Sequence, residues 1–318
     1  MSGTDPEGDW TDDELALAID IARRYYIENK GKSEIAAELR LSRFKVARVL
    51  QRSLDEGIVQ ISIASPKQSY AELANQLRAR YDLNHVVIVD TKFLGPEGRL
   101  REQLGKAAAQ LLERMAGPDD VVGLGWGRTI TAMARSISTF PACPVVQLGG
   151  IVGTTNDNSM EPVRAVAAVS TGESYPLYAP LLMPDAASAA ALKAQPGIAE
   201  TVAMFERTTI GVVAVGSWEP PNSQLQKLFT PAEQTSMRDR GVRAEVCGVL
   251  LDGEGRSILP EISSRTIAIG GDQLRTIPNV VAVAGGLSKV NAIHSVLVGR
   301  YATSLVTDLD VARVLLRR

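Results

Sequence analysis

Four stretches of the chain end an apolar run in glycine and then offer hydroxyl or ammonium groups. They are Gly123-Leu-Gly-Trp-Gly-Arg-Thr129, Gly149-Gly150, Gly216-Ser217 and Gly285-Gly-Leu-Ser-Lys289. Glycine lets a backbone approach a ligand closely, and a helix that follows presents free N–H groups to an anion. Thr129 and Ser217 would add hydroxyl donors and Lys289 a positive charge, so the four together suggest a phosphorylated small molecule. Each one alone reads first as a tight turn, because glycine is the default residue wherever a chain bends sharply. The pattern is not a dinucleotide fingerprint. G-x-G-x-x-G would need glycine at 128, which is Arg, and no acidic residue ends the next strand to hold a ribose. No Walker sequence is present either.

A second chemistry is written into residues 32–50, KSEIAAELRLSRFKVARVL, whose spacing predicts a helix-turn-helix. Ile35, Ala36 and Leu39 put an apolar stripe on a short helix, Leu41 points inward from the turn, and Ser42 offers an N-cap oxygen to a second helix. The inward face of that helix is Val46, Val49 and Leu50. Its opposite face carries Arg43, Phe44, Ala47 and Arg48 with Lys45 beside them, which suits a major groove where Arg donates two bonds to guanine O6 and N7. Between Arg40 and Arg52 there are five basic residues and no acidic one, although residues 11–60 balance at nine of each. The plainer alternative is a helical hairpin with a solvated basic face. Gly57 and the strand-like IVQISI (58–63) continue the segment as a winged helix-turn-helix would. Arg40 stands at a turn position where glycine is common, at a cost of roughly 1 kcal/mol for a left-handed L-residue.

These residues must be positioned by two domains, one small and one large, in a chain of 318 residues that is 45% hydrophobic and 22% charged. Residues 1–10 read as a disordered tail. Thr11 and Glu14 form a capping-box pattern opening a helix through LALAIDIARRYYIEN to a stop at Gly31, its inward positions Leu15, Ala18, Ile19, Ala22 and Tyr26. The DNA-binding domain is expected over residues 11–64, and a linker with a connecting helix over 65–84. SPKQ (65–68) is the linker, and the helix, about 69–81, carries the stripe Tyr70, Leu73, Leu77 and Tyr81. That stripe would pack on its own domain or against a second subunit. From residue 85 to 318 short apolar runs alternate with helix-length patterns. Strands are expected at 85–90, 121–127, 144–150, 174–180, 210–216, 247–252, 266–270, 280–286 and 303–308, in a parallel, doubly wound α/β sheet covered on both faces. Ligands bind beyond the carboxyl ends of such strands.

Composition narrows the function further. A net charge of −2 argues against a protein coated in nucleic acid and fits a local basic face on an acidic body. Two cysteines, Cys143 and Cys247, and two histidines, His85 and His294, are too few for a disulfide framework or a Cys/His zinc site, so neither metal nor cofactor is expected. No apolar run reaches membrane-spanning length and the start MSGTDPEGDW is unlike a signal peptide, which makes a cytoplasmic location the expectation.

With these elements in place, residues 12–318 resemble the SorC family of bacterial sugar-responsive transcription regulators. IAAELRLSRFKVARVLQRSLDEGIVQISI is similar to the family's winged helix-turn-helix. GLGWGRTI, VVQLGG, LYAPLL, VGSWEPPNSQL, GVLLDGEGR and VVAVAGGLSKVNAIHSVLVGRYATSLVTD resemble its effector domain, in order. The resemblance implies an effector domain related in fold to sugar-phosphate isomerases and glucosamine-phosphate deaminase. It also implies binding of a phosphorylated sugar or polyol, assembly as homodimers or homotetramers, and operator DNA as partner. Its phosphate contacts fall on loops matched by Gly125, Trp126, Gly127, Thr129, Ser217 and Lys289. The acidic residue that touches the sugar matches Glu245, where Asp is more usual, and Gly149 stands where Asn is frequent. An alternative on the same fold is an isomerase or deaminase using Glu245 and Lys289 as an acid–base set. A third possibility is a structural DNA-binding protein without a ligand.

Overall fold

The computed structural model describes residues 10–59, 66–90, 97–153 and 160–318, and the chain forms two compact units that divide between Ser65 and Pro66. The first unit holds α1 (Asp12–Tyr26), α2 (Lys32–Glu38) and α3 (Arg43–Asp55). Thr11 and Glu14 close the capping box that starts α1. The helix ends at Tyr26, short of the expected Gly31, because Asn29 turns left-handed and Gly31 is already the N-cap of α2. The inward face of α1 is also rotated from the expected one. Ala18, Ile21 and Ala22 are buried, whereas Leu15 and Ile19 are exposed. They meet Ile35, Ala36, Val46 and Leu50 in a small core. Ion pairs from Arg24 and Lys30 to Glu38 tie the first two helices together at the surface. Trp10, expected in a disordered tail, lies 4.0 Å beneath the Arg52 guanidinium. Residues 1–9 and most of the expected wing strand, residues 60–63, lie outside the described residues.

The second unit opens with α4 (Pro66–Tyr81), so the expected linker SPKQ is mostly helix. Proline is well placed there, since a first-turn residue needs no N–H. Chain order then runs β1 (His85–Val89), α5 (Glu97–Met115), β2 (Val122–Leu124), α6 (Arg128–Ser136), β3 (Val145–Gln147), α7 (Glu161–Ser170), β4 (Ser174–Tyr175), α8 (Ala186–Lys193) and α9 (Pro196–Ala203). It continues through β5 (Ile210–Ala214), β6 (Gly216–Ser217), α10 (Pro231–Asp239), β7 (Ala244–Val246), β8 (Val249–Leu251), β9 (Ser257–Ile258), α11 (Pro260–Ser263) and α12 (Gly271–Thr276). β10 (Asn279–Val283), α13 (Val290–Val298), β11 (Ser304–Asp308) and α14 (Leu309–Leu316) complete it.

Seven strands form one parallel sheet in the order β1-β11-β10-β5-β2-β3-β4. Alternation along the strands fills a core on each face. Val281, Val283 and Val306 point to the side covered by α5, α6 and α7, while Val280, Ala282 and Leu305 point to the other. Leu77 is fully buried in the second of these cores, with Tyr81 packed beside it, so the stripe of α4 serves its own unit.

Two strand expectations do not hold. Residues 247–252 contribute β8 to a separate antiparallel sheet, β6-β7-β8-β9, rather than to the parallel one. Residues 266–270 make isolated bridges from Thr266 to Leu182 and from Ala268 to Gly149, but no strand. The expected strand 174–180 shrinks to Ser174–Tyr175. Apolar runs report burial, and here burial is achieved by irregular chain whose backbone still bonds, as Ile267 does to Leu181 and Gly150.

Candidate functional site

The sheet reverses its winding between β2 and β5, because the chain leaves β2 toward β3 and leaves β5 toward β10. Such a switch point opens a crevice beyond the carboxyl ends of the strands. A cleft lies there, open to solvent on one side. Its walls are the ends of β2, β5 and β10, the start of α6, part of α5, and the antiparallel sheet.

One wall is the N-terminus of α6. Gly127, at φ 124°, is its N-cap and supplies no side-chain bond to the first turn. A side chain there would be strained, and the first N–H groups of α6 face the cleft beside Thr129. The opposite wall is the turn Leu287–Lys289 after Gly286 at φ 91°. Buried Asp308 holds that turn, accepting from the Gly286 N–H at 2.6 Å while capping α14 through the N–H groups of Asp310 and Val311. Gly285 must be glycine, since a Cβ would lie 2.5 Å from Asp308 Oδ2. Lys289 then reaches back, its Nζ donating to the Val215 carbonyl at 2.7 Å.

The base of the cleft holds Glu245. Antiparallel pairing sets Gly216 opposite Glu245, bringing a carboxylate from the small sheet to the edge of the large one. Gly216 has to lack a side chain, because a Cβ would lie 2.5 Å from Glu245 Oε2. The carboxylate is buried and accepts from Ser223 Oγ at 3.0 Å and from the Gly248 N–H at 2.9 Å. Burial pushes its pKa up, while the Gly248 N–H, the Ser223 hydroxyl and the Lys289 charge pull it down. Cys247, beside it, has its thiol pushed up by burial and by the Glu245 charge.

Of the residues singled out in the sequence, Trp126, Gly127, Thr129, Glu245 and Lys289 line the cleft together. Gly125 sits just behind the wall, its N–H bonded to Val212. Gly149 and Gly150 do not line it. A Cβ on Gly149 would lie 2.2 Å from the Trp126 ring, and one on Gly150 would lie 2.5 Å from the Ala179 carbonyl, so both serve packing. Ser217 is not in the lining either. It follows Gly216 on a strand, where side chains alternate faces, and its fully buried hydroxyl has no hydrogen-bond partner among the described residues. Ser288, in the stretch Gly285-Gly-Leu-Ser-Lys289, is in the lining, whereas sequence reasoning missed Arg101, Asn222 and Ser223 there and Asp308 behind it. Only Asp308 left a usable signal, as an acidic residue between a strand and a helix. Arg128, read there only as a departure from a glycine pattern, is also part of the wall.

His85 heads β1 and His294 lies within α13, its Nδ1 3.0 Å from the Tyr81 hydroxyl, and neither lines the cleft. An acid–base relay of the isomerase kind therefore has no histidine to draw on. Among the described residues no His, Cys, Asp or Glu group could hold a metal ion, and no helix is long and apolar enough to cross a membrane.

In the first unit Ser42 caps α3, accepting from the Lys45 N–H at 3.1 Å. Arg40 takes the left-handed φ of 55° in the turn before it. Val46 and Leu50 are buried, which sets Arg43, Phe44, Lys45 and Arg48 on the exposed face and leaves Ala47 half-buried. Phe44 is 87% exposed. An aromatic ring left in water on a basic helix has a use where a thymine methyl can cover it.

A three-helix unit with an exposed basic helix and a parallel α/β unit with a cleft at its switch point are the parts of a sugar-binding transcription regulator. The Sugar-bind family, described as "Putative sugar-binding domain", matches residues 65–317. The chain belongs to that family and is a transcription regulator of the SorC/DeoR type. It is 29% identical over 301 residues to the "Uncharacterized transcriptional regulator YjhU" of Escherichia coli K12, covering 92% of each chain. It is 26% identical over 306 residues to the "Deoxyribonucleoside regulator" of Bacillus subtilis, with 94% of this chain and 96% of the other covered. The full-length sorbitol operon regulator SorC of Klebsiella pneumoniae shares the fold, with a TM-score of 0.73 at 23% identity over 96% of this chain and 100% of that one.

Proposed function

We propose that this regulator controls carbohydrate or polyol metabolism, and that a phosphorylated sugar or polyol in the cleft sets its affinity for operator DNA. The observation that carries the reading is convergence. The Gly127-capped N-terminus of α6, Thr129 and Lys289 surround a space suited to phosphate, while Glu245 lies at its base to accept bonds from sugar hydroxyls. Backbone N–H groups and an ammonium favour an anion, whereas the carboxylate would repel one, so the two ends of the cleft orient the ligand. Relatives named as sorbitol operon and deoxyribonucleoside regulators support the substrate class.

Arg43, Phe44, Ala47 and Arg48 read base edges, while Ser42 and Lys45 meet the backbone. The protein binds as a homodimer or homotetramer in the cytoplasm, because one short recognition helix reads too few base pairs and paired half-sites double the contact. The α4 stripe is buried in its own unit, so the half-site argument alone supports assembly. The test is a thermal-shift and calorimetric screen over sugar phosphates and their unphosphorylated parents. A true ligand at 100 times its Kd adds about 2.7 kcal/mol of stability. Equal affinity for phosphate and parent would remove phosphate from the account.

A further inference from the structure

Helix α4 is the segment by which the second unit continues from the first, its opening residue following the division at Ser65. The two halves of the helix are held differently. Toward its end Leu77 is fully buried and Arg78 Nε donates to the Leu83 carbonyl at 3.4 Å. The Tyr81 hydroxyl lies 3.0 Å from His294 Nδ1 and donates to the Leu315 carbonyl at 3.3 Å. From Tyr70 to Gln76, by contrast, no side chain is buried. With so little apolar burial this stretch has low local stability. A hydrogen bond ties it down, Tyr70 Oη donating to Asp90 Oδ2 at 2.5 Å. The carboxylate pushes the phenol pKa up, so Tyr70 keeps its proton and remains a donor.

Asp90 directly follows β1, at the carboxyl end of a strand, where the cleft also lies. β1 and β11 are parallel neighbours, and Val89, the residue before Asp90, is in register with Asp308. Asp308 is the carboxylate that holds the Gly286 turn of the cleft wall. In the other direction the next described element after Asp90 is α5, whose Leu100, Arg101 and Leu104 line the cleft. Asp90 therefore stands between α4 and two walls of the cleft, one reached through a strand register and one through a helix. A short phenol–carboxylate bond is sensitive to position, since hydrogen bonds weaken steeply once misaligned.

We propose that the Tyr70–Asp90 hydrogen bond is a latch that couples the cleft to the DNA-binding unit. It keeps the first two turns of α4 in step with the Gly286–Lys289 turn, and Tyr70 is a positioning residue outside the cleft lining. An anion drawn to Lys289 shifts the turn, the end of β1 moves with it, and the start of α4 is gripped or released. The latch rests on the effector reading of the cleft for its trigger, and the two can fail separately.

The test is hydrogen–deuterium exchange of the full chain, wild type and Tyr70→Phe, without DNA and with a saturating duplex that wild type enriches from a random pool. Phenylalanine keeps the half-buried ring and removes only the hydroxyl. Without DNA, Tyr70→Phe should speed exchange over residues 70–76 about tenfold, the factor that a bond to a charged group is worth, while β10 exchanges as in wild type. Because coupling is reciprocal, DNA should change exchange at Gly286–Lys289 in wild type and no longer do so in Tyr70→Phe. Asp90→Asn, which keeps a weaker acceptor, should fall between the two. A merely structural Tyr70 would loosen α4 and leave the response of the turn to DNA intact, and that result overturns the latch. A wild-type turn that ignores DNA overturns it too, as does exchange over 70–76 that ignores the substitution. Inorganic phosphate supplies the separate arm. Phosphate that alters exchange at Thr129 and Ile130 in wild type but not over 70–76 overturns the latch alone. No change at Thr129 and Ile130 overturns the effector reading, and the DNA arm still decides the latch.

Discussion

Replacing Gly149 by alanine tests the floor of the cleft without knowledge of the ligand. The added Cβ would lie 2.2 Å from Trp126 Cζ3 and 2.7 Å from Cε3, so the indole has to retreat by more than roughly 1 Å to regain a van der Waals separation. Trp126 is 7% exposed and packed on its other side, which leaves the cleft as its way out. Overpacking of this kind costs about 1–3 kcal/mol. For a unit of this size each kcal/mol lowers Tm by about 2–4 °C, so a fall of roughly 2–12 °C is expected. Calorimetry of Gly149→Ala gives the cost, and quenching of tryptophan emission by iodide reports a ring pushed toward solvent. Gly197→Ala is the control. Nothing lies within 4 Å of its Cβ, and the same change in a helix should be neutral or stabilise by about 0.4–1 kcal/mol. If Gly149→Ala unfolds at the wild-type temperature with unchanged emission, the ring does not rest on Gly149 and the described cleft is wrong.

Substitutions at four further positions, on the exposed face of α3 and around the cleft, have definite expected outcomes. Arg48→Ala should lower specific DNA affinity by about 1–3 kcal/mol and relax sequence preference. Lys45→Ala should weaken all sequences alike and flatten the salt dependence. Unchanged operator binding by Arg48→Ala in a mobility-shift titration would show that α3 faces another way. Asp308→Ala removes a helix cap and leaves the half-buried Gly286 N–H without its charged acceptor, a loss of roughly 2–5 kcal/mol in denaturant unfolding. Asp308→Asn, which keeps one acceptor, should lose less, and equal losses would deny the carboxylate its role. Because burial raises the Glu245 pKa, the native state holds this proton at pH values where the unfolded chain has released it. Its contribution to stability therefore falls as pH rises from the ordinary carboxylate value to the folded one. Glu245→Gln should gain on wild type through that window, and a Tm difference that stays flat with pH would refute the assignment.

The sequence by itself determined the local chemistry. Ser42 before a basic helix, the Thr11–Glu14 capping box, and the continuous Val/Ile runs of the parallel strands are short-range signals, written in consecutive residues and formed as read. The glycines at 127, 285 and 286 were legible as a group, as residues that let a backbone approach a ligand. Tertiary structure decided which glycine serves which purpose. Gly149 and Gly150 look like Gly285 and Gly286 in the sequence, yet one pair makes room for an indole and a carbonyl while the other opens onto the cleft. Glu245 reaches the site only because an antiparallel strand of three residues, too short to show a period, pairs with Gly216. Ser217 faces away from the cleft because a strand sends neighbouring side chains to opposite sides. Arg128 and Asn222 lie far apart in the chain, and only the fold brings them together in the cleft lining. Periodicity reports which residues are buried. What they are buried against depends on contacts between distant segments, and that remains for the folded chain to decide.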